Sequence, residues 1–284
     1  MSYPATSPGA LQAYLDKWLA VQPQQRIALS FVDPLRYPGH LALAAWEQEV
    51  LVMAYGINEP QVAMSKLDWW VGELCDANTG GGRHVLTRVL FTDNGAHDLP
   101  RELWLAPLQA AMDQLTKGTA TDFSTQLAMA ESLHGALARL ETAWWFGLDV
   151  SADRAVRVAT LVHMLHALRR LRDDIGGDCL PLPMARLARF GLSRSQLAQS
   201  SDRCNQAIQA QLADLSAAWR EAAAMAGPLS VFRGLESALS EKLACRALRA
   251  SEPLSVLQRG TTSRALVTAV IAWRLARRWH QSNT

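Results

Sequence analysis

Residues His163, His166, Arg170 and Asp173 follow three- and four-residue steps, which places them on one face of a helix. Two kinds of chemistry suit such a face. Carboxylates one turn apart can hold Mg²⁺, because hard cations take oxygen ligands. Asp173, Asp174 and Asp178 are the metal candidates, and Asp173 and Asp174 the candidate catalytic acids. The next position on the face is Gly177, which has no side chain to offer. Arginine, by contrast, binds phosphate in bidentate fashion without a metal. His163, His166, Arg169 and Arg170 would then form a cationic patch for an anionic ligand. The plainer alternative is the polar side of a core helix, with Arg170 paired to Asp173 or Asp174 and the histidines satisfied locally.

The elements around this face are helical. Apolar residues recur at helical spacing over 11–19, 39–54, 62–74, 85–90, 100–115, 125–146 and 153–174. Further segments follow at 184–190, 194–226, 229–250 and 263–280. Leu161, Leu165, Leu168 and Leu171 form the stripe opposite the histidines and are expected in the core. Pro60 suits the first position of a helix. No pair of alternating runs flanks a tight hairpin turn, and Asn94-Gly95 lies between helical segments. No repeat or low-complexity linker divides the chain. A single all-α domain over 1–284, with its core at about 27–280, is expected.

Composition narrows the partners. A net charge of +2 lacks the concentrated basic surface that nucleic acid requires. Cys75, Cys179, Cys204 and Cys245 show neither a Cys-x-x-Cys pair nor an accompanying histidine pattern. Reduced thiols are expected, not disulfides or zinc. Only His163 and His166 of the seven histidines share a helical face, too few for a zinc site. The N-terminus has no basic region followed by an apolar core, and no apolar run approaches the ~20 residues of a membrane span. A cytoplasmic protein is expected. The last helix carries Trp273, Arg274, Arg277, Arg278 and Trp279. It reads as a solvated basic face, or as a peripheral contact with an anionic membrane surface.

Gly80-Gly-Gly-Arg83 precedes no Gly-Lys-Ser/Thr and follows no strand, so it reads as a flexible turn and not as a nucleotide loop. Trp69-Trp70 and Trp144-Trp145 read as core and cavity-wall aromatics.

Several landmarks occur in order. They are Ala45-Trp-Glu-Gln-Glu-Val50, Glu59-Pro60, Lys66-Leu-Asp-Trp-Trp70 and Gly80-Gly-Gly-Arg-His84, then Leu171-Arg-Asp173 with Leu180-Pro-Leu-Pro183, and finally Ala272-Trp-Arg-Leu-Ala-Arg-Arg278. Together they resemble the squalene/phytoene synthase family over roughly residues 27–278. The resemblance implies an isoprenoid synthase fold, a helical bundle around a deep central cavity. It also implies two Asp-rich motifs that face each other across that cavity and hold Mg²⁺ against a prenyl diphosphate.

The chain departs from that pattern at both motifs. The first falls on Leu51, Val52, Met53, Ala54 and Tyr55, with no carboxylate. In the second only Asp173 keeps its place, and Gly176 and Gly177 stand where the Glu-Asp pair belongs. Glu47 and Glu49 lie about one turn early and out of register. Residues 45–70 are most similar to a divergent branch of the family that includes mitochondrial complex I assembly factors. The expectation is therefore a protein without Mg²⁺-dependent condensation and without a cofactor. It would act as a binding or assembly protein, or as a metal-free binder of an isoprenoid diphosphate or other anionic lipid through Tyr55, His163, His166, Arg169 and Arg170. A protein partner or an active paralogue would fit the same role. The alternative is an active head-to-head prenyltransferase, with Mg²⁺ on unorthodox ligands.

Overall fold

Local signals set most helix boundaries. Proline occupies the first turn of α3 (Pro38–Tyr55), α4 (Pro60–Asn78) and α12 (Pro253–Arg259), where its missing N–H costs nothing. Side-chain caps open three more. The Asp122 carboxylate accepts from the Thr125 N–H at 2.8 Å and starts α7 (Phe123–Phe146). Ser201 does the same for α10 (Asp202–Ala224), and Ser230 for α11 (Val231–Leu248). Gly147, at φ 95°, ends α7 in a conformation that other residues resist.

In the computed structural model, which describes residues 8–92, 96–260 and 265–282, these join seven further helices. They are α1 (Pro8–Val21), α2 (Gln25–Ala28), α5 (Val85–Thr92), α6 (Arg101–Gln114), α8 (Asp153–Arg169), α9 (Met184–Arg189) and α13 (Ala265–Ser282). Among the described residues there is no β-strand, as the sequence periodicity predicts. Asn94-Gly95 and residues 263–264 of the expected last helix lie outside the described residues.

Two apolar clusters build the bundle. The first joins α1, α3, α4, α5, α6 and α13, and centres on Trp46, Trp104, Trp145 and Trp279. The second packs α8 against α9, α10, α11 and α12. Helices α7 and α11 contribute to both. Leu161, Leu165, Leu168 and Leu171 are all fully buried in the second cluster, as their spacing predicts.

Three local expectations are corrected. The helix expected over 153–174 stops at Arg169. Arg170 caps it, a turn follows, and one 3-10 turn spans Asp174–Gly176. Gly176 and Gly177 sustain helix poorly, and the next segment is held from outside. Thr119 Oγ1 accepts from the Leu180 N–H at 2.9 Å and donates to the Asp178 carbonyl at 3.0 Å. The segment expected over 194–226 divides into a 3-10 turn, Arg194–Ala198, and α10, because Ser201 caps a new helix. The glycine run at 80–82 is pinned in place. One Glu73 oxygen accepts from the Arg83 and His84 N–H groups at 2.7 Å each and from Thr87 Oγ1 at 2.5 Å. A Cβ on Gly82 would come within 2.8 Å of Ala77 Cβ, so glycine lets the loop lie on α4.

The outer face of α13 exposes Leu266, Val267, Val270 and Trp273, and the Arg277 guanidinium lies 5.7 Å from the Trp273 ring. Of the residues behind the expected membrane contact, Trp273 is half-exposed on this face, whereas Trp279 is corrected to a core residue, buried in the first cluster. No helix among the described residues is long and apolar enough to cross a membrane. All four cysteines are free thiols.

Candidate functional site

Between the two clusters lies a cavity of about 420 Å³. Helix α3 contributes one continuous face to it, with Glu47, Gln48, Leu51, Val52 and Tyr55. Helix α8 supplies Val162, His163 and His166, and Arg170 follows at its end. His134, Leu137 and Glu141 come from α7, and Phe232, Arg233 and Glu236 from α11. Trp18 and Gln25 are also among its lining residues. The expected tryptophan pairs are elsewhere. Trp70 and Trp145 sit in the first core cluster, Trp69 is half-exposed, and Trp144 lines a separate cavity near Tyr37. Trp18 is the tryptophan on this wall, edge-on to Phe232 with ring centroids 5.0 Å apart.

A buried ionic cluster lies deep in the cavity. Arg233 Nε donates to Glu141 Oε2, and Arg233 Nη2 donates to Glu47 Oε2 at 3.2 Å. Ser230 Oγ donates to the other Glu141 oxygen at 2.5 Å. Glu236 faces His166, with Oε1 3.9 Å from Nδ1. Burial works against the charge on Arg233, but Glu141 and Glu47 more than offset it and hold the guanidinium above its usual value. Burial raises Glu47, and the nearby Glu141 raises it further. Burial also raises Glu236 to about 7, against the pull of Arg233.

Beside this cluster three rings stack. His134 and His163 lie with centroids 3.9 Å apart, and Tyr55 stacks on His163 at 4.9 Å. Tyr55 Oη is hydrogen-bonded to His134 Nε2 at 3.2 Å. Burial lowers His163 to about 3 and His166 to about 4, and it takes His134 well below its usual value. These imidazoles are therefore neutral near pH 7.

The expected cationic patch is corrected accordingly. Its histidines carry no charge, and its arginines diverge. Arg169 turns away from the cavity and donates to the Gln258 carbonyl at 3.3 Å. Arg170 pairs with Asp174, Nε to Oδ2 at 3.6 Å. Tyr55, His163, His166 and Arg170 do line the cavity together. Asp173 lies beyond the end of the helix and is exposed, as is Asp178, and neither lines the cavity. Asp174 is half-buried and lines a smaller cavity of about 120 Å³ behind the wall formed by Tyr55, His163 and Arg170. Glu49 pairs with Lys17 at 3.7 Å.

Sequence reading misses His134, Glu141, Arg233, Glu236 and Gln25. One signal points to Glu141. It is an acid inside the apolar stripe of Leu133, Leu137 and Leu140, which are buried. Such a residue must find a buried partner.

The donor set can be tested against the Mg²⁺ that the resemblance implies. Magnesium takes near-octahedral oxygen ligands, with carboxylates free to approach it. Among the described residues no three His, Cys, Asp or Glu side chains form a group that could hold a metal ion. Glu47 and Glu141 point at a guanidinium instead, so Arg233 occupies the place a cation would take between them. The first motif contributes Leu51, Val52 and Tyr55 to the wall. The residues present do not fit a Mg²⁺ cluster.

An all-helical bundle folded around such a cavity is the isoprenoid synthase fold. The chain belongs to the squalene/phytoene synthase family, whose model matches residues 27–254. Its fold is similar to the crystal structure of squalene synthase HpnC from Alicyclobacillus acidocaldarius, at 16% identity and a TM-score of 0.58, with 97% of each chain covered. It is also similar to a dehydrosqualene synthase in complex with ligand, at 10% identity and a TM-score of 0.70, over 95% of this chain and 98% of that one. No curated protein sequence matches the chain.

Proposed function

We propose that this protein is a non-condensing member of the family, a binding or assembly protein whose central cavity takes an isoprenoid-like ligand without Mg²⁺. The observation that carries this is the substitution of both metal-holding walls. Leu51, Val52 and Tyr55 stand on one, and on the other Asp173 lies outside the cavity. The remaining acids of the cavity gather around Arg233. What remains is a cavity with apolar walls and a polar floor. Its volume falls within the range of about 300–1,000 Å³ typical of small-molecule sites. Both structural relatives are named for synthases of linear isoprenoids, which supports that ligand class.

Incubation with farnesyl diphosphate and Mg²⁺ is expected to release no pyrophosphate above a protein-free control. Release that depends on protein and metal would overturn this function and establish the alternative, a head-to-head prenyltransferase. An Asp174→Asn variant that abolished such release would place the chemistry in the second motif.

A further inference from the structure

Helix α13 gives one side to the core and leaves the other open. Thr268, Ala272, Ala276 and Trp279 are buried, and the helix packs on α11 and α2. The opposite side exposes Leu266, Val267, Val270 and Trp273, with Leu266 at 80%. Leu266, Val270, Trp273 and Arg277 follow four- and three-residue steps, so a single stripe runs from apolar to basic. Arg274 and Arg278 share the basic half, and all three arginines are exposed. The turn after α2 lies against that half, where Phe31 shares a hollow with Trp273, Arg277 and Gln281. The same turn carries Leu35, which is 93% exposed, and the opposite charges of Asp33 and Arg36. No acid follows Glu252 in the sequence, whereas Arg259, Arg264, Arg274, Arg277 and Arg278 do. That stretch carries five positive side chains in a chain whose net charge is only +2.

We propose that the outer face of α13 docks the protein on an anionic lipid surface, with its apolar half in the bilayer interface and its arginines on the lipid phosphates. The inference rests on this face and does not depend on what the central cavity binds. Contiguous exposed apolar side chains mark a contact surface, and the two halves of the stripe ask for different things from one partner. Leu266, Val267 and Val270 call for hydrocarbon, and Arg274, Arg277 and Arg278 call for anions. An anionic bilayer offers both within a few ångströms of depth, and amphipathic helices with basic residues bind it in this way. Trp273 stands where apolar turns to basic, with the Arg277 guanidinium 5.7 Å from its ring. Tryptophan suits that depth, because its body is apolar and its N–H reaches water, and arginine can lay its stem on it while its head stays with the phosphates. A second copy of the chain fits less well. In a two-fold contact the face meets itself, and it brings the same arginines and no acid from α13 to pair with them. No helix among the described residues is long and apolar enough to cross the bilayer, so the contact is one of surface attachment.

The test is co-sedimentation of the full chain with phosphatidylcholine vesicles, made with and without phosphatidylglycerol. The anionic vesicles are expected to bind it more than about tenfold more tightly than the neutral ones, and less tightly as salt is raised. Trp273→Gln and Val270→Gln each remove an exposed apolar side chain. Both should keep the parent Tm and weaken binding to anionic vesicles about tenfold, and a folding defect in one leaves the other to decide. Arg274→Gln combined with Arg277→Gln should weaken binding to anionic vesicles about tenfold or more and leave the weaker binding to neutral vesicles unchanged. Met184→Gln removes an apolar side chain of similar exposure on α9 and should change nothing. Equal binding to the two kinds of vesicle, binding to neither, or binding that the α13 variants leave intact overturns the proposal. Self-association of the chain that Val270→Gln abolishes, without vesicle binding, would make the face an interface between copies instead.

Discussion

Arg233→Met should destabilise the protein by about 3–5 kcal/mol, because it leaves buried carboxylates with no opposing charge. Arg233 is the cation between Glu141 and Glu47, and Glu236 lies close by. Its side chain is only 10% exposed and that of Glu141 only 8%, so water replaces the lost interaction poorly. Glu141 is further committed by its hydrogen bond from Ser230, the residue that caps α11, so the disturbance reaches a helix start. For a chain of this size each kilocalorie corresponds to roughly 2–4 °C, and a fall in Tm on the order of 10 °C is expected. Adding Glu141→Gln to Arg233→Met should recover much of that loss, since the pair can be replaced more cheaply than broken. Thermal and urea unfolding of the two variants measure this. A loss below about 1 kcal/mol for Arg233→Met would mean that the cluster is not what holds α3, α7 and α11 together.

Glu236→Gln should stabilise the protein at pH 8 and lose that advantage near pH 4. Burial raises Glu236 from its ordinary 4.5 to about 7 in the folded chain. A group raised on folding contributes stability that is fully present below its unfolded pKa and lost as pH rises through its folded pKa. For Glu236 that window runs from about pH 4.5 to about pH 7. Above it the parent holds a buried charge that glutamine does not carry. A shift of this size corresponds to on the order of 3 kcal/mol. The histidines work in the opposite sense. His163, lowered to about 3, and His166, lowered to about 4, contribute stability above about pH 6.5 that is lost on acidification. Parent and variant share those histidines, so the difference between their unfolding curves across pH isolates Glu236. A difference that stays constant from pH 4 to pH 8 would contradict the raised pKa.

Most of the helical frame was legible from local features. Pro60 opens α4, and Leu161, Leu165, Leu168 and Leu171 are buried as their spacing requires. The order of family landmarks located the cavity wall, including Leu51, Val52 and Tyr55. The floor of the cavity was not legible, because it is assembled at long range. Glu47, Glu141 and Arg233 come from three helices, and no spacing rule links them. The charge of the histidines was hidden for a related reason. Titration is set by burial among neighbours, and a helical face shows only which side chains lie together. Asp173 was misplaced by a local error. Extending the helix past Arg169 puts it on the histidine face, whereas the turn that actually follows carries it to the surface.

Manganese(II) is the most direct probe of whether the cavity holds metal. It takes the same oxygen ligands as Mg²⁺, and free Mn²⁺ gives a strong paramagnetic resonance signal that is lost on binding. Titrating Mn²⁺ into the protein with saturating, non-hydrolysable farnesyl thiodiphosphate should leave the signal where the thiodiphosphate alone leaves it. Two or more Mn²⁺ ions taken up per chain, only when protein and thiodiphosphate are both present, would show that this cavity still assembles the metal cluster of a prenyl diphosphate synthase.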